Sequence, residues 1–284
     1  MIRTSNWTSQ PWLGVPLDVG NPDSIAYGLK GAWVMSVSGP VNLAAGNYPS
    51  TPSGTTKPSL QGSPYGNCLR FDGSTSYLGG VGSVADFNFL VTTAVFTIAA
   101  RIRLANNAAD AAGVILGGTA ASASKDVAFY WENRSIVGSP KHFRLRVGNG
   151  TGSGLYQLGL DSANNSITDN NWHHVVAVAN VSTGAIYIDG APSTLAASTT
   201  SGSPSGPLTA APDIGRTNSG AIFFNGDIEH LFVWNRVLAT DEIIGLCTDP
   251  YQVFASTPIL PFLTPTGTLL WYLRRMSGGF TEMG

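Results

Sequence analysis

The segment "FTIAARIRL" alternates without a break. Phe96, Ile98, Ala100, Ile102 and Leu104 fall on one side of an extended chain, and Thr97, Arg101 and Arg103 on the other. Successive side chains of a strand point to opposite faces, so the pattern predicts a half-buried strand. "KHFRLRVGNG" repeats it, with Phe143, Leu145 and Val147 inward and His142, Arg144 and Arg146 outward. A sheet with one dry face follows. Further strands are expected at "GLKGAWVMSV", "AGVILGG", "DVAFYWEN", "GLYQLGL", "WHHVVAVANV", "AIYIDG" and "DIEHLFVWNRVL". The 34 glycines and 17 prolines, with many Ser, Thr and Asn residues, lie between these runs, as in a chain of many strands joined by turns.

The stretch "CLRFDGSTSYLGG" has the form of two strands around a tight turn at Asp72-Gly73, which predicts a hairpin. The segment from Ala44 to Pro64, rich in Gly, Pro, Ser and Thr, predicts a surface loop. One short helix is expected at "TDEIIGLC", with Thr240 as cap and Asp241 and Glu242 in the first turn, where carboxylates favour the dipole. Ile243, Leu246 and Cys247 form its apolar stripe, and Asp249-Pro250 ends it.

Only 11% of the 284 residues are charged and the net charge is −2, so no basic field exists to hold nucleic acid through its phosphates. The start of the chain has no apolar core of signal-peptide length, and "TLLWYLRR" is far short of the roughly 20 residues that span a bilayer. The expectation is a soluble protein made in a cytoplasm, without membrane insertion. Cys68 and Cys247 have no zinc-ligand spacing; they are either two buried thiols or one disulfide.

Residues 1–28 and 250–284 lack any period. They hold apolar side chains, among them Trp7, Trp12, Phe254, Phe262 and Trp271, in sequence broken by proline, and read as extended arms that become ordered on a partner surface. They flank one β domain over residues 29–249.

Four blocks in order, "LRFDGSTSYL", "FTIAARIRL", "NNWHHVVAVANVSTGAIYIDG" and "FNGDIEHLFVWNRVLATDEIIGL", resemble the laminin G-like (LamG) domains of the concanavalin A-like lectin/glucanase superfamily. The resemblance implies an all-β jelly-roll sandwich of two antiparallel sheets, with one short C-terminal helix. The arms are similar to those flanking LamG domains in tailed-phage and prophage structural genes. That implies a virion protein made in the host cytoplasm.

The chemistry available to such a chain is limited. Trp172, His174, Val176 and Val178 share one strand face and His173, Val175, Ala177 and Ala179 the other, so the paired histidines cannot converge on one substrate atom. Trp172 is expected in the core, where its loss would cost about 3–5 kcal/mol. A glycosidase needs two carboxylates about 5–10 Å apart across the scissile bond. Enzymes of the superfamily carry them as Glu-x-Asp-x-x-Glu on one strand. Asp227 and Glu229 share a face, but simple alternation puts Leu231 and Val233 next on it, so the third acid is missing. "GNGTGSG", residues 148–154, has no following lysine or helix and reads as a hairpin, not a phosphate loop.

Glycan binding needs an exposed aromatic beside amide or carboxylate groups, and Tyr130, Trp131, Tyr156, Phe223 and Phe224 are the candidates. Calcium is the one cofactor the resemblance allows, with Asp126, Asn180 and Asp213 as candidate ligands. The leading expectation is a non-enzymatic virion structural protein, a capsid decoration protein held by its arms to capsid or other virion proteins and to copies of itself. A carbohydrate-binding module of a phage fibre, reading surface glycans, is the alternative, and a glucanase a distant third.

Overall fold

A computed structural model describes residues 22–37, 39–44, 50–105, 112–118, 126–134, 141–149, 156–200, 206–217 and 222–254, with Leu17 and Val19. Its strands, in chain order, are β1 (Leu29–Val34), β2 (Thr51–Ser53), β3 (Ser59–Ser63), β4 (Gly66–Asp72) and β5 (Tyr77–Gly79). Two helical turns follow, α1 (Val84–Phe87) and α2 (Phe89–Thr92). Then come β6 (Val95–Leu104), β7 (Ala112–Gly117), β8 (Val127–Glu132), β9 (His142–Gly148), β10 (Tyr156–Ser162), β11 (Trp172–Asn180), β12 (Thr183–Ile188), β13 (Ala191–Pro192), β14 (Leu195–Thr199), β15 (Asp213–Ile214) and β16 (Asn225–Trp234). The helix α3 (Thr240–Thr248) and a 3-10 turn at Gln252–Phe254 end the described chain.

The strands form two antiparallel eight-stranded sheets. The first runs β13-β12-β11-β6-β16-β4-β3, with β1 also paired to β16; the second runs β14-β10-β9-β8-β7-β15-β5-β2. The expected jelly-roll sandwich is the observed architecture. Phe96, Ile98, Ala100, Ile102 and Leu104 meet Phe143, Leu145 and Val147 in one apolar core between the sheets, as the period-2 runs require.

A second apolar layer covers the outer face of the first sheet. There Ala99, Val176, Val178, Phe232 and Trp234 pack under Ile243 and Leu246 of α3 and under Tyr251, Val253 and Phe254. The packed unit therefore reaches beyond 29–249. Ala26 is buried in the same layer, Trp234 Nε1 donates to Ile25 O at 2.8 Å, and Phe254 is 1% exposed. Phe254 serves its own domain and is not available to a partner. Trp7, Trp12, Phe262 and Trp271 lie outside the described residues.

Three local expectations are corrected. The Asp72-Gly73 turn does not make a hairpin: β4 belongs to the first sheet and β5 to the second, so the turn is a corner between layers. The Asp72 carboxylate accepts the backbone N–H groups of Ser74, Thr75 and Ser76, and Gly73 sits at φ +75°, where a Cβ would meet Asn225 at 2.7 Å. Such an Asx turn suits either topology. The Ala44–Pro64 stretch, expected as loop, contains β2 and β3; both pair one way only, at sheet edges, where weak β-formers are tolerated. The N-cap of α3 is Ala239, not Thr240, and the Glu242 carboxylate accepts Ala239 N–H at 2.8 Å. Cys68 and Cys247 are free thiols, which settles that alternative.

Candidate functional site

A register shift between Ile228 and His230 puts a β-bulge at Glu229. The extra residue resets the alternation. Leu231 and Val233 turn inward, and Asp227 and Glu229 share the outer face with His230 and Phe232, not with Leu231 and Val233. The third acid is still absent from that face.

Both carboxylates are fully buried and engaged. Asp227 takes a bidentate pair from Arg70 and a further bond from Arg103 Nε at 2.7 Å. Glu229 accepts the Tyr251 hydroxyl at 2.9 Å and lies 3.5 Å from Arg101 Nε. Burial pushes the Glu229 carboxyl up, but contact with His230, the charge of Arg101 and the Tyr251 hydroxyl outweigh it and hold it below its usual range. Neither acid is presented to a substrate.

The histidines of "WHH" point opposite ways. The His173 imidazole lies between two carboxylates, Nδ1 to Asp189 Oδ2 and Nε2 to Asp169 Oδ1, each at 2.7 Å. Burial lowers its pKa, but the two aspartates outweigh that and raise it. Its stabilising effect is therefore complete below about pH 6.5 and fades as pH climbs through the raised value. Replacing His173 by Gln is expected to cost about 1 kcal/mol at pH 6, because both aspartates are half exposed, and less at pH 9. Urea unfolding at the two pH values checks this, and an equal cost at both would refute it. Trp172 is only half-buried, beside Arg103 and Arg101 at 5.2 and 5.7 Å from its ring, which corrects its expected place in the core.

The outer face of the second sheet is different in kind. Strands β8, β9 and β10 send Phe129, Trp131, Phe143, Leu145, Leu158 and Leu160 into the core. The alternate positions carry Tyr130, Glu132, His142, Arg144, Arg146 and Asp161 in register, with Tyr130 opposite Arg144 and Arg144 opposite Asp161. Among the described residues, the apolar cluster on this face is Val114, Ala128 and Tyr130, with Ala112 and Ile222 beside them. The buried residues of the described helices belong to the other two clusters.

The charges on this face hold one another. Arg144 binds Asp161 through Nε at 3.0 Å and reaches Glu132 at 3.5 Å, and Arg134 pairs with Glu132 through two bonds. Arg146 Nη1 donates to the carbonyls of Leu145 and Leu160. Burial pushes the Glu132 carboxyl up, but the Arg134 bonds outweigh it and the group stays ionised. The guanidiniums of Arg144 and Arg146 lie 5.9 and 5.2 Å from the rings of Tyr130 and Tyr156. Gly159 makes room between them: a Cβ there would meet Thr199 Oγ1 at 2.6 Å and Tyr156 at 3.5 Å. The result is a preorganised row of rings and planar donors.

Of the glycan candidates, Tyr130 and Tyr156 stand on this face, but Tyr130 is buried at 9% exposure, which corrects its expected exposure, and of the two only Tyr156 is half-buried. Trp131 points into the core, its ring 5.0 Å from Phe143, and Phe224 is fully buried edge-on to Phe71. Phe223 is half-buried at a bridge to Arg216. The charged partners Glu132, Arg134 and Asp161 were missed, although outward Arg144 and Arg146 signalled them. The calcium candidates do not assemble. Asp126 is buried and bonded to Thr209 Oγ1, Asp213 is paired with Arg216 at 2.8 Å, and Asn180 lies exposed at the end of β11 in the other sheet. Among the described residues no group of three or more His, Cys, Asp or Glu side chains is placed to hold a metal ion.

Two antiparallel sheets with one polar outer face define a lectin-type β-sandwich. A Laminin_G_3 family model, described as concanavalin A-like lectin/glucanases superfamily, matches residues 75–244, more than half of the chain, and the protein belongs to that superfamily. No curated protein matches it. Among solved structures it is similar to domain 4 of AbnA, a GH43 extracellular arabinanase from Geobacillus stearothermophilus, in complex with arabinotriose. That likeness has a TM-score of 0.55 and 14% identity, over 77% of this chain and 98% of that one. It is also similar to Trypanosoma rangeli sialidase in complex with sialic acid (0.52, 17%, 80% of this chain and 33% of that). A third likeness is to the binding domain of botulinum neurotoxin DC in complex with rat synaptotagmin II (0.54, 11%, 81% and 52%). The chain thus spans about a third of the sialidase and half of the toxin domain. At these identities the likeness is one of fold.

Proposed function

We propose that this protein is a non-enzymatic, lectin-like recognition module that takes a glycan on the outer face of β8, β9 and β10. The observation that carries the reading is the contrast between the two outer faces. One is covered over much of its area by an apolar layer, and the other holds buried Tyr130, Glu132 and Asp161 in a fixed network whose partly exposed edge is Tyr156 and Arg144. Aromatic rings suit the apolar face of a sugar, and planar charged groups suit its hydroxyls. Arabinotriose, bound by the arabinanase domain of like fold, is a natural first probe.

Titration calorimetry with arabino-oligosaccharides, backed by a glycan array, tests this. Tyr156→Ala is expected to weaken the best glycan at least about tenfold while leaving the fold intact. An array without hits, or binding untouched by Tyr156→Ala and Tyr130→Ala, would reject it. The non-enzymatic part is tested by Asp227→Asn with Glu229→Gln. Turnover of a β-glucan or arabinan by the wild type, lost in that double variant, would reverse it.

A second reading, compatible with the first, places the module on a phage particle as a capsid decoration protein, oligomeric and bound to virion proteins. It rests on the sequence of the arms, whose Trp7, Trp12, Phe262 and Trp271 sit in aperiodic, proline-broken stretches. Mass spectrometry of purified particles decides it: high copy number supports decoration, a few copies a fibre, and absence neither.

A further inference from the structure

One histidine lies under the segment that follows α3 and a second lies beside it. His174 on β11 is 4% exposed and His230 on β16 fully buried, with ring centroids 5.8 Å apart. Among the described residues, none of their four ring nitrogens has a hydrogen-bond partner. His230 stacks on Phe232 at 4.7 Å, and Tyr251 of the covering segment closes over it edge-on at 5.5 Å. The segment 250–254 joins no sheet. Its backbone bonds run to its own turn, Gln252 N to Asp249 O and Phe254 N to Tyr251 O, and it grips the sheet through the Tyr251 hydroxyl on Glu229 and the packing of Tyr251, Val253 and Phe254.

We propose that residues 250–254 form an acid-released latch: protonation of His174 and His230 detaches the segment from the first sheet while the sandwich beneath stays folded. Closed, the site has no room for either charge. The groups facing the pair are Glu229 from β16, Arg101 from β6, Asp189 from the turn after β12 and the Tyr251 ring of the latch; Cys247 of α3 stands near Asp189 and Arg101. Two imidazolium ions would add to Arg101, while Asp189 is already shared with His173. Glu229 alone, 3.8 Å from His230 Nδ1, offsets the new charge. Opening the latch uncovers the His230 ring and, through it, the neighbouring His174, without breaking a strand pairing.

The direction of the linkage agrees. Burial, then the neighbouring charges of His230 and Arg101, push the His174 pKa down to about 3, and burial lowers that of His230. In the open form both titrate near 6.5, so the open form binds more protons and closure weakens as pH falls below about 6.5. Each histidine shifts the balance about tenfold per pH unit, so two histidines shift it by up to about 10⁴ between pH 6.5 and 4.5.

Hydrogen exchange on the full chain at pH 7 and 4.5, corrected for the intrinsic exchange rates, reads the latch directly. Protection at 250–254 is expected to fall at least about 100-fold at pH 4.5, with β8 and β9 unchanged. In His174→Gln with His230→Phe, which keeps the stack on Phe232, the fall is expected to shrink below about threefold. Loss of protection in β8 and β9 together with the latch means global acid unfolding and overturns the proposal; so does an unchanged latch, or an equal fall in the variant. Should that variant fail to fold, the imidazole NMR shifts of the wild type decide. Titration of His174 and His230 together with the loss of latch protection supports the latch, and titration with the latch still protected overturns it. Neither measurement involves a ligand, so the outcome is separate from that of the glycan reading.

Discussion

Replacing Trp33 by alanine is expected to lower the unfolding free energy by about 3–5 kcal/mol, the usual range for emptying a fully buried aromatic site. Trp33 on β1 is 0% exposed and stacks on Phe87 of α1 at 6.0 Å, so it ties the helical turn to the core between the sheets. Its Nε1 makes no hydrogen bond among the described residues, so the loss is one of packing alone. Trp33→Phe, which keeps a ring against Phe87, is expected to cost less than half as much. Trp172→Ala, by contrast, removes a half-buried ring beside two arginines and is expected to cost about 1–2 kcal/mol. Urea midpoints at constant slope measure all three. Equal losses for Trp33 and Trp172 would contradict the assignment of one to the core and the other to the outer face.

That contrast also marks what the sequence could convey. Alternation in "FTIAARIRL" and "KHFRLRVGNG" identified the inward residues, because every second side chain of a strand must leave water. It could not reveal which outer face is dry. Val176, Val178, Phe232 and Trp234 are apolar on the outward side, so "WHHVVAVANV" and "HLFVW" read as near-continuous hydrophobic runs whose two faces period alone cannot rank. The bulge at Glu229 was illegible for the same reason: one inserted residue reverses the faces beyond it and leaves no mark in composition. The hairpin at Asp72-Gly73 failed because turn chemistry fixes a local bend and not which strands pair across it. The polar face was half legible. Arg144 and Arg146 were read as outward, but their carboxylate partners come from the neighbouring strands β8 and β10, and register is a tertiary fact.

Cutting the chain to residues 29–249, the unit that sequence periodicity marks out, is expected to leave a protein about 3–5 kcal/mol less stable than one spanning 22–254. Tyr251, Val253 and Phe254 are each 1% exposed or less. Burial of such side chains contributes about 1.5–3 kcal/mol apiece, roughly 5–9 kcal/mol for the three. Ordering the five backbone residues of the latch, at about 1–2 kcal/mol each, cancels most of that gain, so the expected loss comes mainly from what the cut uncovers and unpairs. The cut also uncovers Phe232 and Trp234, and at the other end it removes Ile25 O and Tyr27 O, which accept from Trp234 Nε1 and Arg236 Nε at 2.8 Å. For a domain of this size the loss corresponds to a melting temperature lower by about 10–15 °C, and the bared apolar face is expected to make the short form self-associate. Calorimetry and light scattering on the two forms test both points. The short form has its histidine pair already open, so its stability is also expected to lose the acid sensitivity that the latch confers between pH 6.5 and 4.5. A short form as stable and as monomeric as the longer one, with the same response to acid, would mean that residues 250–254 lie on the sheet without holding it. The second apolar layer would then be a consequence of the fold and not one of its supports.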